Sequence, residues 1–285
     1  MTNDRHQRVI PLLCALAMLL TVGMLMGITN GQGRFRGPGI TQSRTAQPEG
    51  RNGVPMWDVD PTFKDDVFTF VRIEYDSYRP GSWLTDFPDA DLNFSYRLQQ
   101  LTSLKVDPNG RIMRLTDPEL FRFPFIYLIE PGHIVLSPPE IAALRRYLLN
   151  GGFLMVDDFW GEAEWNALHY AMKQVFPERE PIELPLEHPL FHCVYDLKEK
   201  PQIPAIGIAL QYKSSGRTWE RDDAKTPHYR AIFDDKGRIM TLICHNTDLG
   251  DGWEREGEDP WYFTEFSEKK AYPLGINIIF YAMTH

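Results

Sequence analysis

The apolar and polar positions between residues 121 and 160 set out a strand, a loop, a helix and a second strand. Residues 125–129 form an unbroken apolar run, as in a strand buried on both faces of a parallel sheet. Ser137 then stands as a helix N-cap, with Pro138 in the first helical position and Glu140 completing a capping box. Ile141, Leu144 and Leu148 recur at helical spacing while Arg145 and Arg146 fall on the other side. Asn150, Gly151 and Gly152 end the helix, since these residues tolerate left-handed backbone. Residues 153–156 are a second buried strand, and Asp157 and Asp158 stand just past its carboxyl end. The stretch predicts one βαβ unit with a right-handed crossover.

The flanking patterns extend this unit. Upstream, residues 67–73 read as a strand followed by Glu74 and Asp76, residues 78–91 as a surface loop, and Asp91 as the cap of a helix reaching about residue 103. A short strand over 112–115 follows. Downstream, Trp165, Leu168, His169, Met172 and Phe176 give a helix over 162–176, and the proline-rich 181–191 reads as irregular. Residues 206–210 read as a strand with Gly207 inside it. Runs at 229–233 and 238–245, joined by Asp234-Asp235-Lys236-Gly237, form a hairpin signal, and an apolar helix over 271–283 closes the chain. The expected fold class is α/β: a three-layer sandwich with a mainly parallel, flavodoxin-like sheet and an antiparallel hairpin extension.

The N-terminus adds a separate element. Arg5, His6 and Arg8 precede a nearly continuous apolar run over 9–28, about the 20 residues that span a bilayer. The run exceeds a usual secretory h-region, and no small-x-small site closes it. It is therefore expected to be an uncleaved transmembrane anchor with the body extracytoplasmic, or, if it is cleaved, the leader of a secreted protein. Residues 31–62, rich in Gly, Pro, Arg, Gln and Ser, read as a flexible linker on which Trp57 is placed to dock. The folded domain is expected over 63–285.

Composition narrows the partners. A net charge of −9 argues against a nucleic-acid surface, and much of the acid excess lies between residues 247 and 267. Three cysteines make no disulfide scaffold; Cys193 and Cys244 are the one pair available in the folded part, as a bridge or as two free thiols. The sequence points to the membrane through 9–28, to a membrane-protein partner, and to no particular ligand or cofactor.

Several motifs occur in order: Asp-Pro-Glu-Leu-Phe at 117–121, Pro-Phe-Ile-Tyr-Leu at 124–128, Leu-Arg-Arg-Tyr-Leu-Leu-Asn-Gly-Gly-Phe-Leu at 144–154, the Asp157-Asp158 pair, His-Pro-Leu-Phe-His at 188–192 and Asn-Thr-Asp-Leu-Gly-Asp-Gly-Trp-Glu at 246–254. Together they resemble a bacterial family known as domain of unknown function 4159, over roughly residue 68 to the C-terminus. The resemblance implies a fold similar to class I glutamine amidotransferases and no assigned activity. Those enzymes carry a nucleophilic cysteine on an elbow after a central strand. The elbow here would be Glu130-Pro131-Gly132-His133, without cysteine or serine. His245 and Asp248 resemble the remnant of the later His–acid pair and make no triad alone.

Ligands of open α/β sheets bind outside the carboxyl ends of the strands. Polar residues collect there: Glu74 and Asp76, Glu130 and His133, Asp157 and Asp158, His245 and Asp248. These eight form the candidate pocket, against the plainer reading that strand ends are polar anyway. No histidine pair shows the helical zinc spacing, and the Asp248–Glu254 loop lacks the EF-hand register, so no metal site is expected from sequence motifs. Trp253, Trp261, Tyr262, Phe263 and Phe266 in their acidic setting offer a binding surface for a sugar or protein. Two functions follow. The favoured one is a non-catalytic, membrane-tethered binding or scaffold module of a bacterial cell-envelope assembly. The alternative is a hydrolase of a carbohydrate or other small polar substrate, metal-assisted or not, with Asp157, Asp158, His133 or His245 as acid and base. An enzyme would gather these groups in one cleft with perturbed protonation; a scaffold would leave them scattered and solvated.

Overall fold

The apolar runs fold into one sheet. In order, β1 (Val71–Ile73), β2 (Asp76–Ser77), α1 (Asp89–Leu101), β3 (Arg111–Met113), β4 (Phe125–Ile129), β5 (Ile134–Val135), α2 (Pro138–Leu149) and β6 (Phe153–Asp157) make the first part. The second part has α3 (Gly161–Val175), β7 (Ile182–Glu183), α4 (Ile206–Gln211), β8 (His228–Phe233), β9 (Ile239–His245) and α5 (Leu249–Glu254). A turn at Pro260–Tyr262 and a π-helical stretch at Phe263–Ala271 then lead into α6 (Tyr272–Thr284). This computed structural model describes residues 51, 53–63 and 66–285, which fall in one compact unit; the expected anchor at 9–28 lies outside them. Among the described residues no helix is long and apolar enough to cross a membrane.

The main sheet has seven strands in the order β3-β1-β4-β6-β9-β8-β7. The pairings from β3 to β9 are parallel, and β8 and β7 add antiparallel strands at one edge. A small antiparallel pair, β2 with β5, lies apart. The βαβ unit appears as expected: β4 pairs with β6 in parallel, and α2 begins at a capping box in which the Ser137 amide donates to Glu140 Oε2 at 2.9 Å. The expected hairpin forms between β8 and β9, closed by Gly237 at φ 83° with Asp234 Oδ1 accepting the Lys236 and Arg238 amides.

Alternation along the buried strands sends side chains to two cores. From β4, Phe125, Tyr127 and Ile129 face one side, packed with Phe94 and Leu98 of α1, Trp253 of α5 and Leu274 and Ile278 of α6. Ile126 and Leu128 face the other, packed with Leu144 and Leu148 of α2 and Leu168 and Met172 of α3. Helices therefore cover both faces, and the strands read as continuous apolar runs because neither face meets water.

Three expectations change. Residues 206–210 are helical, not a strand: a short apolar run carries no period that separates the two. Ile206 and Ala209, three apart, are buried, and Gly207 faces open space. The first helix starts at Asp89, and Asp91 is not its cap but lies in its first turn, drawn inward by Arg72. The stretch 249–254, read from the sequence as a loop, is a helix capped by Asp248, whose side chain accepts the Asp251 amide at 2.7 Å. Trp57 docks as expected, its indole donating to the Val106 carbonyl at 2.8 Å.

Candidate functional site

Each of the three central parallel strands leaves the sheet through a non-glycine residue in left-handed backbone. Glu130 after β4 has φ 48°, Asp158 after β6 has φ 52°, and Asn246 after β9 has φ 61°. This conformation costs about 1–2 kcal/mol per L-residue and persists where surrounding contacts enforce it, most often at functional sites. Asp158 followed by α3 is a strand-to-helix elbow, the turn that elsewhere lifts a reactive side chain above a sheet. A fourth such residue, Asp86 at φ 60°, lies in the loop between β2 and α1.

That loop is held from below by a buried charge. Arg72 of β1 is fully shielded from solvent, and its Nε donates to both Asp91 oxygens, at 3.1 and 3.0 Å. Its Nη1 donates to the carbonyls of Trp83 and Thr85, at 3.1 and 2.8 Å, and the guanidinium lies over the Tyr127 and Phe87 rings. The backbone on one side of Asp86 is thereby fixed to the sheet.

Asp86, Asp158 and Asp248 converge. Each offers one carboxylate oxygen, and these oxygens lie within 4.8 Å of one another. They border a cleft of about 340 Å³ that Glu130, His133, Asp251, Glu164, Glu220, Arg79, Arg221 and Arg255 also line. Asp158 Oδ1 accepts the Trp160 indole N–H at 3.1 Å. Asp86 Oδ2 is shut off from solvent and receives no hydrogen bond from an amide, hydroxyl or cationic donor, while the Asp86 carboxyl meets that of Glu254. Burial, then the charges of Asp86, Asp157, Glu130 and Glu220, push the Asp158 carboxyl well above the usual range. Burial with Asp158, Asp86, Asp251 and Asp157 does the same to Asp248, and burial with Asp251 and Glu254 to Asp86. Such a set is hard to keep fully ionised without a compensating proton or cation.

The other expected pocket residues fall elsewhere. Glu74 and Asp76 both accept from Arg114 Nη2, at 3.3 and 3.0 Å, and do not line the cleft. Asp157 is fully buried behind it; its Oδ2 accepts the Tyr127 hydroxyl and the Leu249 and Gly250 amides at 3.0–3.1 Å, fastening α5 to β6. His245 is buried between the Phe159 and Trp165 rings, donating from Nε2 to the Gly161 carbonyl and accepting from Arg230 at Nδ1, both at 3.1 Å. Both are scaffolding for the cleft rather than its wall.

Comparison with known proteins bears on this chain in one respect. The family profile described as domain of unknown function (DUF4159) matches residues 69–283. The chain belongs to this family. A search of curated proteins finds no match. The DUF4159 span takes in every cleft-lining residue named above.

Within the DUF4159 domain, sequence reasoning missed Asp86, Asp251, Glu164 and Glu220. One signal was present: Arg72 interrupts an apolar strand, and a buried arginine requires acids brought to it. The aromatic segment offers only part of the surface expected, since of its five rings Trp261 and Phe263 alone are partly exposed. Trp253 and Tyr262 are fully buried and Phe266 nearly so, with the Trp253 ring 4.4 Å from that of Phe94. Their acidic neighbours point inward as well, since Asp248 and Asp251 are only 4% exposed. Cys193 and Cys244 are free thiols.

Proposed function

We propose that this DUF4159 chain is a hydrolase acting on a carbohydrate or other small polar substrate, bound beyond the carboxyl ends of β4, β6 and β9. One observation carries the reading: Asp86, Asp158 and Asp248 bring carboxylate oxygens within 4.8 Å of one another beside an open cleft. Three buried like charges cost stability, and proteins tolerate that cost chiefly where the groups do chemistry. Their backbone supports the same reading, since Asp86 and Asp158 are held in strained left-handed conformations.

The nucleophile in this proposal is water. The elbow positions after β4 and β6 carry Glu130 and Asp158, and neither Cys193 nor Cys244 lines the cleft. The carboxylates activate water, while His133 and Glu130 in the same cleft serve the leaving group. The parallel sheet and its elbows support a glutamine amidotransferase-like ancestry of the fold, without the thiol chemistry. The scaffold reading keeps a smaller surface than expected, because Trp253, Tyr262 and Phe266 of the aromatic segment are core and only Trp261 and Phe263 are partly exposed.

The placement of the enzyme rests on sequence alone. We propose that residues 9–28 anchor it in a bacterial membrane with the domain extracytoplasmic, within reach of a membrane-protein partner in the cell envelope. Retention of the full chain in the membrane pellet after carbonate extraction is the expected result; release into the soluble fraction contradicts it. The activity is tested by screening the full chain against chromogenic glycosides, esters, amides and phosphate esters. Hydrolysis of one class that Asp158→Asn abolishes is expected; hydrolysis of none, or activity indifferent to Asp158→Asn, counts against the reading.

A further inference from the structure

We infer that Asp86, Asp158 and Asp248 together hold one hard divalent cation in the cleft, an inference that rests on reading this cleft as the functional site. The three residues arrive from separate parts of the fold: Asp158 from the elbow after β6, Asp248 from the cap of α5 after β9, and Asp86 from the loop that Arg72 secures. Their oxygens lie within 4.8 Å of one another. A cation about 2.0–2.6 Å from each oxygen spans such separations.

A second observation concerns the same Asp86 side chain. Its Oδ2 has no solvent exposure and receives no hydrogen bond from an amide, hydroxyl or cationic donor, and the one side chain that meets the Asp86 carboxyl as a hydrogen-bond partner, Glu254, is another acid, a costly arrangement for a buried carboxylate. Asp158 and Asp248 each receive one neutral donor, the Trp160 indole and the Asp251 amide. Of the nearby cations, Arg72 pairs with Asp91, Arg221 with Glu164, and Arg255 with Asp251, Glu254 and Glu258, while Arg79 at the cleft wall is exposed and forms no ion pair with the three aspartates. Asp86 also approaches Asp251 and Glu254 closely enough to form a second acidic group. Arg255 pairs with two members of that second group, whereas among the described residues no ion pair reaches Asp86, Asp158 or Asp248 within the first.

The donor set selects the ion. It is all oxygen, without the imidazole or thiolate that zinc and copper favour, so magnesium, manganese and calcium are the fitting class. A cation there faces the cleft, where it can polarise a substrate oxygen or acidify a water. This supplies the activating group that the missing nucleophile at the elbows leaves wanting.

The test uses the full chain, freed of metal with chelator and titrated with manganese chloride and, separately, calcium chloride, read by calorimetry and by the electron paramagnetic resonance of bound manganese. One ion per chain is expected, with affinity falling at least tenfold in Asp86→Asn, Asp158→Asn and Asp248→Asn and unchanged in Glu74→Gln. Circular dichroism confirms that each variant is folded. Absence of binding to a folded wild-type chain overturns the inference, as does binding that the three variants leave intact. The outcome is separable from the hydrolase reading: hydrolysis that persists in chelator removes the cation and keeps the enzyme, whereas tight cation binding without hydrolysis of any substrate keeps the cation and removes the enzyme.

Discussion

The Arg72 guanidinium clasps the Asp91 carboxylate within the protein interior and, with its remaining hydrogens, holds the Trp83 and Thr85 carbonyls next to Asp86. One buried arginine thus joins strand β1 of the parallel sheet both to α1, through Asp91, and to the loop that completes the cleft. Because each charge answers the other, Asp86 is left to face Asp158 and Asp248.

Breaking this pair on one side is predicted to be costly. Arg72→Leu leaves Asp91 buried and unpaired and releases two loop carbonyls, a loss of about 3–5 kcal/mol. Urea denaturation checks the value, and the double change Arg72→Met with Asp91→Leu is expected to recover part of it. A loss below about 1 kcal/mol would mean that the loop is held by other contacts.

His245 gives the fold a pH dependence. Burial, then the charges of Arg230 and His228, lower its pKa to about 4, so the folded protein carries it neutral. In the unfolded chain histidine titrates near 6.5. Between these values the unfolded state binds the extra proton, so stability falls as pH drops from about 6.5 towards 4, by up to about 3 kcal/mol. Denaturation midpoints measured across that window are expected to slope less steeply in His245→Gln; equal slopes would refute the assignment.

Two glycines respond oppositely to alanine. At Gly250 an added Cβ would collide with Asp86 Oδ2 and stand 3.1 Å from the Tyr127 hydroxyl. Gly250→Ala is predicted to destabilise by about 1–3 kcal/mol and to weaken manganese binding by displacing Asp86. At Gly207 in α4 nothing lies within 4 Å, and Gly207→Ala is predicted to stabilise by about 0.5–1 kcal/mol through helix propensity. Thermal unfolding of both variants against wild type decides.

Relieving the acidic cluster is predicted to stabilise the protein when no cation is supplied. Asp248→Asn keeps an oxygen for the Asp251 amide and removes one charge from a site where its neighbours Asp158, Asp86, Asp251 and Asp157 all oppose ionisation. In chelator at pH 7.5 the variant should unfold at a higher temperature than wild type, and in millimolar calcium the order should reverse. A lower melting temperature in chelator would show that the Asp248 charge is already compensated.

The central βαβ unit was legible because its strands are shielded on both faces and its helix carries a full capping box, signals that need no long-range information. Residues 206–210 were not, since five apolar residues fit a strand or a helix, and only packing of Ile206 and Ala209 settles the choice. Glu130, His133, Asp158 and Asp248 could be placed near the cleft from topology alone, as strand ends converge at one side of a parallel sheet. Asp157 and His245 sit at the same strand ends yet turn inward, because alternation assigns their side chains to the interior. Asp86 could not be found this way: it enters from a loop whose path depends on Arg72, a partner distant in sequence.

The account turns on whether the cleft performs hydrolysis, and the most direct measurement is the turnover of a cleavable substrate by the full chain beside Asp158→Asn and Glu74→Gln. The cleft account predicts that Asp158→Asn loses at least a hundredfold in rate while Glu74→Gln, paired with Arg114 away from the cleft, keeps the wild-type rate. Equal rates in wild type and Asp158→Asn, or loss in Glu74→Gln alone, would contradict it.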